Sequence, residues 1–256
     1  MGSFARITAL VVILAVPALM EARTFSVRTL ENPPLEYTDN GSVTGIAVEL
    51  TREAIRRTGH DSEYKILPWK RVLLEVAEGR ADVAINTGRS PEREIWGLYP
   101  DEVLIDETYV LFSYRPLSLP EDLGGVENLS LGNQLGYFYG EHFHKKITNE
   151  RFRSVETMHT ISRSLEKLAA GRTDLFIGDL LPTRYHISQM GLNDQIHRVQ
   201  NEAADEPLVV SVSPTYAAFS RKTVSPEYVQ AFSQALKDMK DDGTYTRILN
   251  TYLDRL

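Results

Sequence analysis

Apolar positions along this chain switch between two spacings, and the switching predicts strands and helices in turn. Phe25 to Leu30 alternates and reads as a first strand, followed by a turn-rich run from Asn32-Pro33-Pro34 to Asp39-Asn40-Gly41. Ile46, Val48, Leu50, Ala54 and Ile55 recur mostly at helical spacing, with Gly59 where a C-terminal cap belongs. Tyr64 to Leu67 is a short strand, and Pro68 suits the first turn of a second helix through Val72, Leu73, Val76 and Ala77, ending near Gly79. Asp82 to Ile85 is nearly all apolar, as in a strand buried on both faces. Strand-helix-strand-helix-strand within about sixty residues is an α/β pattern, with right-handed crossovers and a mainly parallel sheet expected. Such sheets bind ligands beyond the carboxyl ends of their strands, which points to the loops after Leu30, Leu67 and Ile85.

A second unit follows. Val103 to Tyr114 reads as extended chain, and Arg115-Pro116 with Leu119-Pro120 marks a boundary. A strand is expected around Leu135 to Phe138, a polar helical stretch near Phe143 to Ile147, and a strand at Arg153-Ser154-Val155. Thr160 is placed to cap a helix through Ile161, Leu165, Leu168 and Ala169 that Gly171 closes. Asp174 to Ile177 repeats the short buried strand, and Leu180 to Met190 makes another helix. The run EGRADVAI, Glu78 to Ile85, is thereby echoed by AGRTDLFI, Ala170 to Ile177, which predicts two lobes of like architecture. Pro207 to Ser213 and Tyr216 to Ser220 are extended again. Ser225-Pro226-Glu227 opens a helix with Val229, Phe232, Leu236 and Met239 on its apolar face, and Asp241-Asp242-Gly243 separates it from a last helix, Thr244 to Leu253. These final elements are free to return to the first lobe.

Composition narrows the function. The chain has 256 residues, 42% hydrophobic and 25% charged, with no cysteine, which excludes disordered, collagen-like and disulfide-stapled classes. A balance of 28 Lys+Arg against 35 Asp+Glu, net −7, with no basic run interleaved with aromatics, argues against nucleic acid or an anionic membrane as partner. The amino-terminal stretch stands apart: Arg6 supplies charge, and Ile7 to Met20 is mostly apolar but shorter than the roughly 20 residues that span a hydrocarbon core. It reads as a secretory signal, residues 1–22, cleaved after Ala18 or, preferably, Ala22. Without a cysteine to carry a lipid, the mature protein is expected free in the periplasm. Glu141-His142-x-His144 invites a metal reading, but no third ligand is evident, so no metal is expected. Phosphate loops and nucleophile elbows do not occur. The acid pairs Asp101-Glu102 and Asp106-Glu107 read as solvated strand edges.

Several segments in order carry a family resemblance: Pro33-Pro34-Leu35-Glu36-Tyr37 with Gly45 to Leu50; Leu73 to Ile85; Ser90-Pro91-Glu92-Arg93; Leu135-Gly136 with Gly140; Leu165 to Asp179; and Asp241-Asp242-Gly243-Thr244-Tyr245. Nearly end to end, the mature chain resembles the extracytoplasmic solute-binding proteins of ABC importers, family 3, the polar amino-acid binders. The resemblance implies an α/β, two-lobed periplasmic binding protein fold of type 2. Two mainly parallel sheets flanked by helices would be joined by two crossover strands, near Leu111 to Pro116 and Val209 to Tyr216. Residues 23–113 with 214–256 would form lobe 1 and residues 114–213 lobe 2. It implies a monomer that captures an amino acid or related carboxylate between closing lobes and delivers it to an inner-membrane ABC permease, with no cofactor. The same scaffold also serves ligand sensors for a membrane receptor and resembles cyclohexadienyl dehydratases, for which Glu141 or Glu202 would be the acid.

Burying a zwitterion requires a cation and an anion from the cleft. Arg93 matches the family's carboxylate-binding arginine, whose planar fork meets both oxygens. Asp179 matches the acid that receives the ligand ammonium, though it equally suits a helix cap. Ser90 matches a small hydroxyl of the same loop as Arg93, with plain capping as the alternative. Trp69 matches an aromatic wall, with helix-to-sheet packing as the alternative. Asn86 and Gly88 stand at the strand end that offers further contacts. Three departures mark this chain. The loop from Asp82 to Arg93 is one residue short and carries Arg89; Asn32 stands where an aromatic is usual; and Glu141 and His142 replace small hydroxyl residues that meet the ligand's charged ends, so these two are candidate contacts as well.

Overall fold

A computed structural model describes residues 22–135, 137, 139, 143, 145, 151–204 and 206–254. The expected leader, save Ala22, and the candidates Glu141 and His142 lie outside the described residues. The first half runs β1 (Thr24–Thr29), β2 (Tyr37–Asp39), β3 (Ser42–Thr44), α1 (Ile46–Arg57), β4 (Asp61–Ile66), α2 (Trp69–Ala77), β5 (Val83–Gly88), α3 (Pro91–Glu94), β6 (Gly97–Leu98) and β7 (Ile105–Ser113). The chain continues through β8 (Ser118–Leu119), β9 (Ser130–Gln134), β10 (Ser154–Met158), α4 (Ile161–Ala169), β11 (Leu175–Asp179), α5 (Leu180–Gln189), β12 (His197–Arg198) and β13 (Gln200–Asn201). β14 (Val209–Ser220), α6 (Pro226–Asp241) and α7 (Thr244–Leu253) complete it.

Most elements fall where periodicity put them. Thr160 and Ser225 cap their helices, accepting from the N–H of Arg163 and Tyr228. One strand lies elsewhere: β9 is Ser130–Gln134, several residues before the apolar run expected to form it. The reason is its place between β10 and β11, which small side chains suit, whereas Leu135 beyond its end is 61% exposed. Of the helical stretch expected over Phe143 to Ile147, Phe143 and Lys145 are described, and both are helical.

The strands form one hydrogen-bonded path, β10-β9-β11-β7-β14-β5-β1-β4. It is parallel among β4, β1 and β5 and again among β10, β9 and β11. It is antiparallel wherever β7 and β14 take part. The two expected sheets are thus joined edge to edge through two long crossover strands. Side-chain packing changes hands along them: Ile105 and Ala217 pack with Val27, Val83 and helices α1 and α6, whereas Tyr109, Leu111 and Val210 pack with Leu131, Leu175 and Phe143. On β7 the change therefore falls around Glu107, ahead of Leu111 to Pro116. Residues of the C-terminal helices, Phe232, Leu236, Met239 and Tyr252, share one core with Val27, Ile46 and Val83 of the first half.

The echo between EGRADVAI and AGRTDLFI extends to hydrogen bonds. Asp82 accepts from Ser26 N–H and Oγ at 2.9 Å each, while its own N–H donates back to Ser26 Oγ at 3.1 Å. Asp174 makes the same pattern with Ser130: N–H at 2.9 Å, Oγ at 2.7 Å, and its own N–H to Oγ at 2.9 Å. Each aspartate also holds an arginine, Arg23 at 2.5 Å and Arg153 at 2.9 Å. Burial opposes ionisation of both carboxyls, but these donors hold both below the ordinary aspartate value. In each lobe the clamp ties the first strand to the strand whose far end reaches the cleft.

Gly45, the residue before α1, fixes the loop that enters the cleft. Its φ of 126° lies in the left-handed half of the map, and a Cβ there would stand 2.6 Å from the Leu35 carbonyl carbon. Both restrictions act at once, so Gly45→Ala should destabilise the fold by about 2 kcal/mol or more in urea titrations. A loss below about 0.5 kcal/mol would mean that the loop bearing Glu36 yields freely.

Candidate functional site

Carboxyl ends of β5 and β11 meet at the crossover strands, and the candidates gather there. β5 carries a bulge: its register with β14 shifts between Tyr216 and Ala218, and Asn86 takes φ 54°, a left-handed conformation that asparagine tolerates better than most residues. The bulge leaves the buried Asn86 amide with all its partners inside the protein. Its Nδ2 donates to Glu36 Oε1 at 3.1 Å and to Glu107 Oε1 at 3.4 Å. Its Oδ1 accepts from the Thr215 hydroxyl at 2.6 Å, which also sits 2.7 Å from the Ile105 carbonyl.

Arg93, at α3, donates from Nη1 to the Gly88 carbonyl at 2.8 Å, and its guanidinium lies 5.7 Å from the Trp69 ring centroid. Trp69 itself packs partly on Leu67, Val72, Val76, Ala81 and Ala84, so its packing role is real and its ring also supports the arginine. Ser90 caps α3, accepting from Arg93 N–H at 3.4 Å. Gly88 pairs with Thr215 and accepts from Arg93 and, at 3.4 Å, from the Tyr99 hydroxyl. From the second lobe, Asp179 ends β11 and stands at the N-cap position of α5 without a side-chain capping hydrogen bond; the Thr108 N–H donates to its Oδ1 at 3.2 Å.

Two acids join this group that sequence reasoning placed elsewhere or passed over. Glu107 is no solvated strand edge: it is half-buried, its Oε2 accepts from the Tyr109 hydroxyl at 2.8 Å, and its charge acts on Asp179. Its neighbour Asp106 is exposed as expected, and Glu102 pairs with Lys240 at 2.8 Å. Glu36, noted only as part of a family segment, is fully buried, and its Oε2 has no hydrogen bond. Its position two residues after Pro34, in a loop ending a first strand, was the available signal; the partner that gives it meaning lies 50 residues away. Glu202, by contrast, is exposed, with its N–H bonded to the Leu119 carbonyl.

Electrostatics follow from this crowding. Burial pushes the Glu36 carboxyl well above the ordinary value; the Asn86 hydrogen bond opposes, and the charges of Glu107, Asp179 and Glu31 add to the rise. Burial likewise raises Asp179 well above its ordinary value, with the Glu107 charge next and the Thr108 N–H opposing. Glu107 is raised by burial against hydrogen bonds from Tyr109 and Asn86 and the charge of Arg93. The Tyr137 phenol is pushed up to about 12, by burial and then by the same three acids. Among the described residues, no group of three or more His, Cys, Asp or Glu suits a metal ion.

Residues 26–115 match the family model of bacterial extracellular solute-binding proteins, family 3. The L-cystine-binding protein TcyA of Bacillus subtilis (strain 168) is 23% identical over 82% of this chain and 72% of its own length. An ancestral arginine-binding protein bound to arginine superposes with a TM-score of 0.66 at 20% identity, covering 90% of this chain and 97% of that one. A histidine kinase sensor domain with similarity to periplasmic binding proteins gives a TM-score of 0.68 at 22% identity, covering 91% and 96%. No helix among the described residues is long and apolar enough to cross a membrane.

The raised acids have a pH signature of known sign. Glu36, Glu107 and Asp179 bind protons more tightly folded than unfolded, so stability of the unliganded protein falls as pH rises above the ordinary carboxylate range toward their folded values. Asp82 and Asp174, held low, act oppositely and lose their contribution as pH falls below that range. Each proton is worth up to about 1.4 kcal/mol per pH unit, so the melting temperature should fall by a few degrees per unit as pH rises from the ordinary carboxylate range toward the folded values. Glu36→Gln should flatten that slope; an unchanged slope would remove Glu36 from the account. Residues 26–115 thus resemble the bacterial extracellular solute-binding proteins, family 3, and the solved neighbours share the fold of the whole described chain.

Proposed function

We propose that this chain is a periplasmic solute-binding protein that captures an α-amino acid between two lobes for ABC-type import. One observation carries the reading: opposite charges from the two lobes stand on one pair of crossover strands, Arg93 donating to the Gly88 carbonyl, which pairs with Thr215 of β14, and Asp179 accepting from the Thr108 N–H of β7. An amino acid's carboxylate and ammonium would satisfy one each, and closure would remove water from both pairs. Trp69 backs the arginine, Ser90 caps its helix, the Gly88 carbonyl anchors it, and Asn86 joins Glu36 to Glu107 beside it. Lobe 1, residues 23–113 with 214–256, and lobe 2, residues 114–213, would turn on β7 and β14, with bending centred near Glu107 where core packing changes hands. Tyr37 and Tyr185, with ring centroids 6.0 Å apart, and Leu181 packed on the first-lobe core, would be contacts made or released in that motion. TcyA and the ancestral arginine binder, both amino-acid binders by name, support the ligand class. The exported, monomeric form would meet an inner-membrane permease.

The sensor-domain neighbour favours a second reading, in which the closed form addresses a membrane receptor. Both readings share the binding step.

Calorimetry of the mature protein against the standard amino acids tests the first reading, and heat from none of them would overturn it. Arg93→Ala should weaken carboxylate ligands by about 30-fold or more with the unliganded circular dichroism spectrum unchanged. Unaltered affinity would remove Arg93 from the site. Asp179→Asn should weaken amine-bearing ligands selectively; an equal loss for the deaminated analogue would count against its role.

A further inference from the structure

An α-amino acid held by Arg93 and Asp179 leaves two nearby carboxylates over. Glu36 and Glu107 stand on different segments, the loop after β1 and the crossover strand β7, and share the two N–H groups of one amide, Asn86. Glu107 Oε2 takes the Tyr109 hydroxyl, which leaves Glu36 Oε2 fully buried without a partner. Asp179 and Tyr137 lie within electrostatic reach of Glu36 from the second lobe, so that lobe meets this acid as it closes.

Charge balance makes the point sharper. Ionised, Glu36, Glu107 and Asp179 carry three negative charges, and Glu31 adds to the field at Glu36. Among the described residues, Arg93 is the cation whose field reaches Glu107, and Tyr109 and Tyr137 contribute only neutral phenols. A zwitterion with a neutral side chain leaves that sum as it was. Unpaired carboxylates in a water-free pocket cost several kcal/mol each, so without a cation they take up protons.

We propose that Glu36 and Glu107, bridged by Asn86, form a second cation pocket, and that the ligand is an amino acid whose side chain ends in an ammonium or guanidinium. This rests on the amino-acid reading above, and it fixes which amino acids the site takes. The ligand's distal cation supplies the donors that Glu36 Oε2 lacks, in place of protons on the two acids.

Titration calorimetry with matched pairs separates this from the broader reading: arginine against citrulline, its uncharged near-isostere, and lysine against norleucine. The charged member of at least one pair should bind at least 100-fold more tightly than its neutral partner. Its binding heat should vary with the ionisation enthalpy of the buffer, because protons leave Glu36 and Glu107 as the cation arrives. Glu107→Gln should cut the charged-to-neutral ratio at least tenfold, and Glu36→Gln provides the same comparison if the first variant fails to fold. A neutral amino acid binding as tightly as arginine and lysine, or an undiminished ratio in both variants, would overturn the second pocket and leave the amino-acid receptor standing. Absence of binding by any α-amino acid would overturn both.

Discussion

Everything in this fold turns on two strands that belong to both lobes. β7 and β14 pair antiparallel from Ile105 with Thr215 to Val110 with Val209, and each packs one end in one hydrophobic core and the other end in the other. A strand shared in this way cannot be apolar throughout, because between the cores it faces the cleft. Asp106, Glu107 and Thr108 fill that interval on β7, and the Thr215 hydroxyl bonds Asn86 from β14. The polar interval that lets two cores share one sheet is therefore also where Glu107 and the Thr215 hydroxyl meet the Asn86 amide.

Each lobe presents its functional end by the same device. A serine on one strand, Ser26 or Ser130, and an aspartate heading its parallel neighbour, Asp82 or Asp174, exchange three hydrogen bonds. The clamps lie at the amino ends of β5 and β11, and the chemistry lies at the carboxyl ends. Stability and recognition are thus separated along one strand, as parallel α/β sheets generally arrange them. Carboxyls at the clamps are held low and those at the cleft are pushed high, so a single residue type serves as a permanent anion at one end and a proton-exchanging group at the other.

Legibility from sequence followed the range of the interactions. Helix α1, both serine and threonine caps and the echo between the lobes rest on local spacing, and all were readable. Arg93, Trp69 and Asp179 were proposed through their place in matched segments; Arg93 follows β5 in α3, Trp69 opens α2, and Asp179 ends β11. Glu107 was misplaced because an acid beside Asp106 on an alternating strand resembles a wet edge, and only the approach of Asn86, 21 residues earlier, reveals otherwise. β9 was misplaced because its sequence, SLGNQ, is polar in composition while buried in position. The left-handed turn at Asn86 leaves no mark in a hydropathy pattern at all.

That turn links recognition to closure. An asparagine with ordinary strand geometry points to one face of the sheet. With φ at 54° and the register shifted, the same amide spans the two acids while its oxygen is fixed by Thr215 on the second shared strand. Glu36 thereby belongs to the first lobe, Asp179 to the second, and Glu107 to the strand between them. Like charges brought together cost several kcal/mol, so ionised acids on opposing lobes resist closing over an empty cleft or one holding an anion. A cation reverses the sign of that term. If the proposed ligand binds, its charge would act on the angle between the lobes through the acids themselves, on the loop after β1, on β7 and on β11.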